Sequence, residues 1–221
     1  MIIVFARAPV PGRVKTRLAP RLGDWRAARL HARLTLHALR TALAAGCGPV
    51  ELHGTRRHGF FKKLTSDSGL VFRVQQGRDL GERMYNALSR ALRQHRAAIL
   101  IGADCPELRP ADLRRAARWL QGASDAVLAP AEDGGYALIG VRRVSPRVFE
   151  GIRWGGDAVF AETEKRLSSA GYRWRLLRRV WDLDRPEDLE RLRSLRSSSA
   201  SRRAARRSRG SRARSGGSGR T

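Results

Sequence analysis

The chain has 221 residues, 42% of them hydrophobic, which suffices for one ordinary core and gives no reason to expect a second. Its formal charge of +25 comes from 45 Lys and Arg against 20 Asp and Glu, but the excess is uneven, because residues 197–221 hold eight Arg, eight Ser, four Gly and no acid. Two cysteines at neither metal nor redox spacing, and no apolar run near the ~20 residues of a membrane span, exclude a disulfide scaffold and a spanning helix; the expectation is a cytoplasmic protein.

In chain order, IIVFA at residues 2–6 reads as a buried strand, followed by the cation-rich loop RAPVPGRVKTRL. From Asp24, read as an N-cap, to about Ala45, the leucines 30, 34, 39 and 43 recur at helical spacing. PVELH (49–53) and LVFRVQ (70–75) read as strands, with 58–65 ambiguous between them. A helix over 80–95 opens with Asp79 and Glu82 at capping-box spacing. AAILIG (97–102) has the continuous apolar character of a central strand, Pro110 to Gln121 reads as a helix with Pro in its first turn, and DAVLAP (125–130) and GYALIGV (135–141) are strands. Helical spacing returns at 157–169, YRWRLLR (172–178) reads as a strand and RPEDLERL (185–192) as a last helix. This alternation predicts an α/β sandwich whose sheet is mostly parallel, with an antiparallel member near 135–141. Residues 197–221 have almost nothing to bury and repel one another, which predicts a disordered tail after a domain spanning 1–196.

In such sheets ligands collect beyond the carboxyl ends of the strands, so the residues there carry the chemistry. Arg7, Arg13, Lys15 and Arg17 follow the first strand, and guanidinium forks with a Lys point charge match the oxygens of a polyphosphate. Neither a P-loop nor a GxGxxG fingerprint is present. Asp104 follows the fourth strand in IGADCPEL and is placed either to hold Mg²⁺ or Mn²⁺ or to form a turn. Asp133 precedes Gly134 and Gly135 in PAEDGGYALIG, where the glycines allow close approach of a ligand or make a plain hairpin turn. Asp182 and Asp184 in WDLDRPEDL share a face if the segment is extended, and Asp184 with Glu187 also has capping-box spacing. Cations after the first strand and acids after later ones form the pattern that nucleotide-dependent transfer requires.

FARAPVPGRVKTRLAP, QGRDLGERM, IGADCPEL, PAEDGGYALIG and WDLDRPEDL, in this order, resemble small bacterial GT-A-like proteins of the arsenosugar-biosynthesis glycosyltransferase type, over residues 1 to about 195. The resemblance implies a three-layer Rossmann-like GT-A fold, a nucleotide-diphosphate sugar donor, a small-molecule acceptor and a divalent metal. Under it, Lys15 and Arg17 contact donor phosphate, Asp104 is a metal ligand, and Gln76 and Gly81 of QGRDLG lie where related uridylyltransferases read the base. Asp184 matches a late metal-ligating Asp of similar cytidylyl- and uridylyltransferases, and Asp133 is the candidate to activate the acceptor. The chain departs from the family at Ala103-Asp104-Cys105, which lacks the second Asp of a DxD motif, and at WGGDAV, where Asp157 carries no role. A nucleotidyltransferase resembling phospholactate guanylyltransferases, releasing pyrophosphate, is the second reading. A basic nucleic-acid binder is the third; it draws on the basic tail, and few aromatics interleave with the cations to stack on bases.

Overall fold

The computed structural model describes residues 1–194. Its elements follow from the apolar runs and their caps. Strand β1 (Ile2–Ala6) is buried at every residue. After the cationic loop come a short helix α1 (Ala19–Leu22) and helix α2 (Asp24–Ala45), then β2 (Val50–Gly54), α3 (Gly59–Ser68), β3 (Val71–Val74) and α4 (Leu80–Leu92). Strand β4 (Ala98–Gly102), α5 (Pro110–Gln121), β5 (Ala126–Pro130), β6 (Tyr136–Val141), α6 (Val159–Ser169) and β7 (Trp174–Leu176) complete the described elements up to Asp184. Contacts divide the chain after Asp184, and residues 188–194 of the following unit are helical. The expected tail, 197–221, lies outside the described residues.

The seven strands form one sheet in the order β3-β2-β1-β4-β6-β5-β7, parallel except that β6 runs antiparallel to both β4 and β5. Side chains alternate between its faces. Ile2, Val4 and Ala6 join a core with Ala38, Leu39 and Ala42 of α2 and Leu113 and Ala116 of α5. Ile3 and Phe5 point the other way, to Met84 and Leu88 of α4 and Leu167 of α6. The result is an α/β sandwich with a mixed, mostly parallel sheet, as the alternation of elements requires.

Local caps agree with the sequence in part. The Asp79 carboxylate accepts the Glu82 backbone N–H at 2.8 Å, while the Glu82 side chain reaches back to the N–H of Arg78 at 2.8 Å. The ambiguous 58–65 stretch is helical because the His58 ring accepts the Phe60 N–H and Phe61 drops into the core against Phe72. Asp24 is the first residue of α2 rather than its cap, since Gly23, at φ 76°, makes the turn into the helix. The expected strand at 172–178 pairs only over Trp174–Leu176. No described helix is long and apolar enough to cross a membrane.

The amino edge of the sheet is fastened by one buried carboxylate. Asp125, just before β5, accepts Arg142 Nε at 2.9 Å beyond the end of β6 and the Arg173 backbone N–H at 3.0 Å ahead of β7. Burial pushes its carboxyl up, but the Arg173 and Arg142 hydrogen bonds prevail and bring it down to about 2. Because the folded value is depressed, the stabilisation is fully present above the ordinary Asp value of about 3.9 and is lost as pH falls through about 2. Asp125→Ala is expected to cost about 1–3 kcal/mol in urea unfolding at neutral pH, and the gap from the parent to narrow as pH drops from 5 toward 2. A gap that does not change with pH would show that the charge is not what fastens these strands.

Candidate functional site

The sheet order reverses around β1, which has β2 on one side and β4 on the other. The crevice between the carboxyl ends of β1 and β4 is therefore a topological switch point. The loop after β1 is fixed at its base by the Ala8 N–H on Thr55 Oγ1 (3.3 Å) and further along by the Arg13 N–H on the Val10 carbonyl (3.0 Å). Buried Val14 anchors it, and Lys15 follows at φ 51°, the one described non-glycine residue in the left-handed region. That conformation costs an L-residue roughly 1–2 kcal/mol, and here it turns the Lys15 side chain inward.

The Lys15 ammonium, whose side chain is 4% exposed, lies 2.8 Å from Asp104 Oδ1 and 3.9 Å from Asp184 Oδ1. Arg17 Nη1 holds the other Asp184 oxygen at 2.6 Å. His31 of α2 meets the same Asp104 oxygen, with Nδ1 3.2 Å from Oδ1, and its Nε2 is 3.0 Å from the Arg7 carbonyl. Burial pushes the Asp104 carboxyl up, yet the Lys15 charge and the His31 contacts outweigh it and hold the group well below the usual carboxylate range. Its side chain remains 43% exposed, so the ionised group still faces solvent and any ligand there.

The segment leading to Asp184 runs along the same edge. Val180 donates its N–H to Pro130, Glu132 donates to Val180, and Leu183 donates to the Asp104 carbonyl at 2.9 Å. These bonds carry Asp182 and Asp184 to the hairpin between β5 and β6, where exposed Asp133 accepts the Gly135 N–H at 2.9 Å. Burial, then the neighbouring charge of Asp133, raise the Asp182 carboxyl to about 6. Beside Asp104, burial pushes the Cys105 thiol up to about 12, which removes it as a nucleophile near neutral pH.

The structure thus brings together Lys15, Arg17, Asp104 and Asp184 by direct contact, and Asp133 by its charge on Asp182. Arg7 and Arg13 are exposed on the same loop with no carboxylate partner among the described residues. Gly134, at φ 86°, is required by packing, because a Cβ there would meet the Asp157 carbonyl oxygen at 1.9 Å. Gly81 is buried beneath Trp154, whose ring a Cβ would meet at 2.5 Å. Gln76 lines a separate groove that includes none of the contact set just described. Sequence reasoning missed His31, because a His on the apolar stripe of a helix reads as core, and passed over Asp182 in favour of Asp184.

The pair Asp104 and Asp184 suits a divalent cation. Both carboxylates already converge on one positive charge, and Mg²⁺ commonly takes one or two protein carboxylates while phosphates and water complete its shell. No cluster of three or more ligating side chains exists among the described residues, so a protein-only cage is not offered.

Residues 37–156 match the model of a family described as "Uncharacterized protein conserved in bacteria (DUF2064)". No curated protein matches the chain. Among solved structures, a provisionally named nucleotide-diphospho-sugar transferase from Desulfovibrio desulfuricans G20 is 33% identical, with a TM-score of 0.77 over 83% of this chain and 81% of that one. CMP:2-keto-3-deoxy-manno-octonic acid synthetase complexed with CTP shares the fold at 14% identity and a TM-score of 0.59, over 90% of this chain and 98% of that one. The Rv0371c protein of Mycobacterium tuberculosis H37Rv, complexed with manganese, does so at 21% identity and 0.50, over 86% and 97%.

The raised Asp182 carboxyl has a measurable consequence. An acid whose folded value lies above its unfolded one destabilises the fold once it ionises, so stability falls as pH rises from about 3.9 through about 6. Asp182→Asn is expected to melt higher than the parent at pH 8, with the difference closing by pH 4 in a thermal series. An equal difference at both pH values would show that ionisation of this buried carboxyl is not what lowers stability.

Proposed function

Since the chain belongs to the bacterial DUF2064 family and shares the Rossmann-like fold of nucleotide-sugar transferases, we propose that it is a cytoplasmic, metal-dependent glycosyltransferase using a nucleotide-diphosphate sugar, of the type its motifs resemble. The observation that carries this reading is the contact of Lys15 with both Asp104 and Asp184 at the β1/β4 switch point. In this reading Lys15, Arg17, Arg13 and Arg7 receive the donor's diphosphate, with Gly134 and Gly135 leaving backbone room beside it, while Gln76, in its separate groove, and Gly81, buried beneath Trp154, take no part. Asp104 and Asp184 hold Mg²⁺ or Mn²⁺, which supplies charge neutralisation for the departing diphosphate.

An acceptor hydroxyl attacks the anomeric carbon as the bond from that carbon to the diphosphate oxygen breaks, and nucleoside diphosphate leaves. The hydroxyl proton passes to the Asp133/Asp182 pair. Asp133 orients the acceptor, and Asp182, with its carboxyl at about 6, is ionised at neutral pH yet basic enough to take the proton. His31 acts through Asp104, fixing the rotamer in which that carboxylate meets Lys15.

A specific observation supports nucleotidyl transfer as the second reading. Solved cytidylyl- and nucleotidyltransferases, including the CTP complex, match almost the whole fold. In that chemistry the α-phosphorus is attacked and pyrophosphate leaves.

Incubation with a panel of nucleotide sugars and nucleoside triphosphates plus Mn²⁺ separates the two by product, nucleoside diphosphate for glycosyl transfer and pyrophosphate for the alternative. Lys15→Met is expected to lower kcat about 10²–10³-fold, the usual loss on deleting a group aimed at developing charge. Asp104→Asn should abolish metal-dependent turnover with the fold retained by circular dichroism. Full turnover in either variant overturns the assignment.

A further inference from the structure

A second site lies on the opposite half of the sheet. Helix α4 packs its apolar stripe, Met84, Leu88 and Ala91, against β1 and β4, which leaves this face of β2 and β3 beside a groove of about 720 Å³. A sheet covered on both faces would carry apolar side chains here. The residues pointing into this face from β2 are instead Glu51 and His53, two apart and therefore on one side, with Arg73 of β3 in register beside His53.

Glu51 is the organising group. Its side chain is 8% exposed and its Oε2 takes Arg73 Nε at 3.1 Å, His53 Nε2 at 2.8 Å, and Arg90 of α4 in a short contact. Burial pushes the Glu51 carboxyl up, but these bonds prevail and bring it to about 2, so it stays charged and keeps both guanidinium groups in place. Arg83, two turns before Arg90, is fixed by its Nε on the Gly77 carbonyl at 3.0 Å. Arg57 and Arg93 line the same groove with no ion pair among the described residues.

Five arginines thus line a concavity whose volume is ordinary for a small-ligand pocket, and no carboxylate among the described residues lines it with them. Arg73, Arg83 and Arg90 are tethered through one nitrogen each, and every guanidinium has five N–H donors, so pre-positioned donors remain for an incoming anion. Glu51 pairs with Arg73 and Arg90 alone, which leaves Arg57, Arg83 and Arg93 in the groove without a carboxylate partner among the described residues. We propose that this groove binds a small phosphorylated ligand carrying two or more phosphate groups, at a site distinct from the one built on Lys15 and Asp104. The concave shape favours a compact polyanion over a nucleic-acid strand, which tracks an extended basic surface.

Pyrophosphate is the probe, measured by isothermal titration at physiological salt. The Lys15→Ala/Arg17→Ala variant removes the other phosphate-binding cluster and reads binding without reference to turnover. This variant is expected to retain one-to-one pyrophosphate binding, and adding Arg57→Ala/Arg93→Ala, or separately Arg83→Gln, should weaken it at least about tenfold, a loss typical of a charge-assisted hydrogen bond. Arg115→Ala/Arg118→Ala, exposed arginines on α5, should leave it unchanged. Loss of all binding in Lys15→Ala/Arg17→Ala, equal weakening by the α5 control, or displacement of pyrophosphate by mixed-sequence single-stranded RNA would each overturn the proposal.

Discussion

The molecule is organised around one buried ammonium. Taking Lys15 out of water costs several kcal/mol unless its charge is met, and Asp104 meets it at 2.8 Å with Asp184 behind. Those three residues come from the loop after β1, the turn after β4 and the segment that follows β7. They meet because the parallel strands all deliver their carboxyl ends to one edge and the order reverses at β1. Once that pairing forms, Leu183 is bonded to the Asp104 backbone and Arg17 closes on Asp184, so the loop conformation, including the left-handed Lys15, is determined from several sides.

The two edges of the sheet divide the work. At the amino edge, buried Asp125 is met by three arginines, Arg142, Arg143 and Arg173. At the carboxyl edge, charges are paired only in part. Asp104 keeps a solvent-facing side, Arg7 and Arg13 extend outward, and burial, then the charge of Asp133, raise the Asp182 carboxyl. The abundance of arginine in this chain hides different settings: clamps on buried acids, exposed groups on the loop after β1, and the arginines that line the groove beside β2 and β3.

Much of this was legible in the sequence where the signal is local. The continuous apolar runs of β1 and β4 announce central strands, Asp79 and Glu82 announce the start of α4, and the rule that ligands gather at carboxyl ends points to the loop after β1 and to Asp104 without separating Lys15 from Arg7, Arg13 and Arg17. What stayed hidden depends on tertiary packing. His31 looks like any residue on the buried stripe of α2 until Asp104 and the Arg7 carbonyl are placed at its two nitrogens. Asp182 acquires its raised carboxyl from burial at the sheet edge and then from the charge of Asp133, which the β5–β6 hairpin brings near. Gly81 and Gly134 look like ligand-facing glycines in their motifs, but Trp154 and the Asp157 backbone give each a packing reason as well. Glycine patterns record close approach without saying what approaches.

The central claim, that one pocket at the β1/β4 switch point joins the cationic loop to the carboxylates, is tested most directly by diffraction from a crystal soaked with manganese and a uridine or guanosine diphosphate sugar. The account requires an anomalous manganese peak between Asp104 and Asp184, with the diphosphate against Lys15 and Arg17. A nucleotide and metal bound elsewhere, with Lys15 still closed on Asp104, would contradict it.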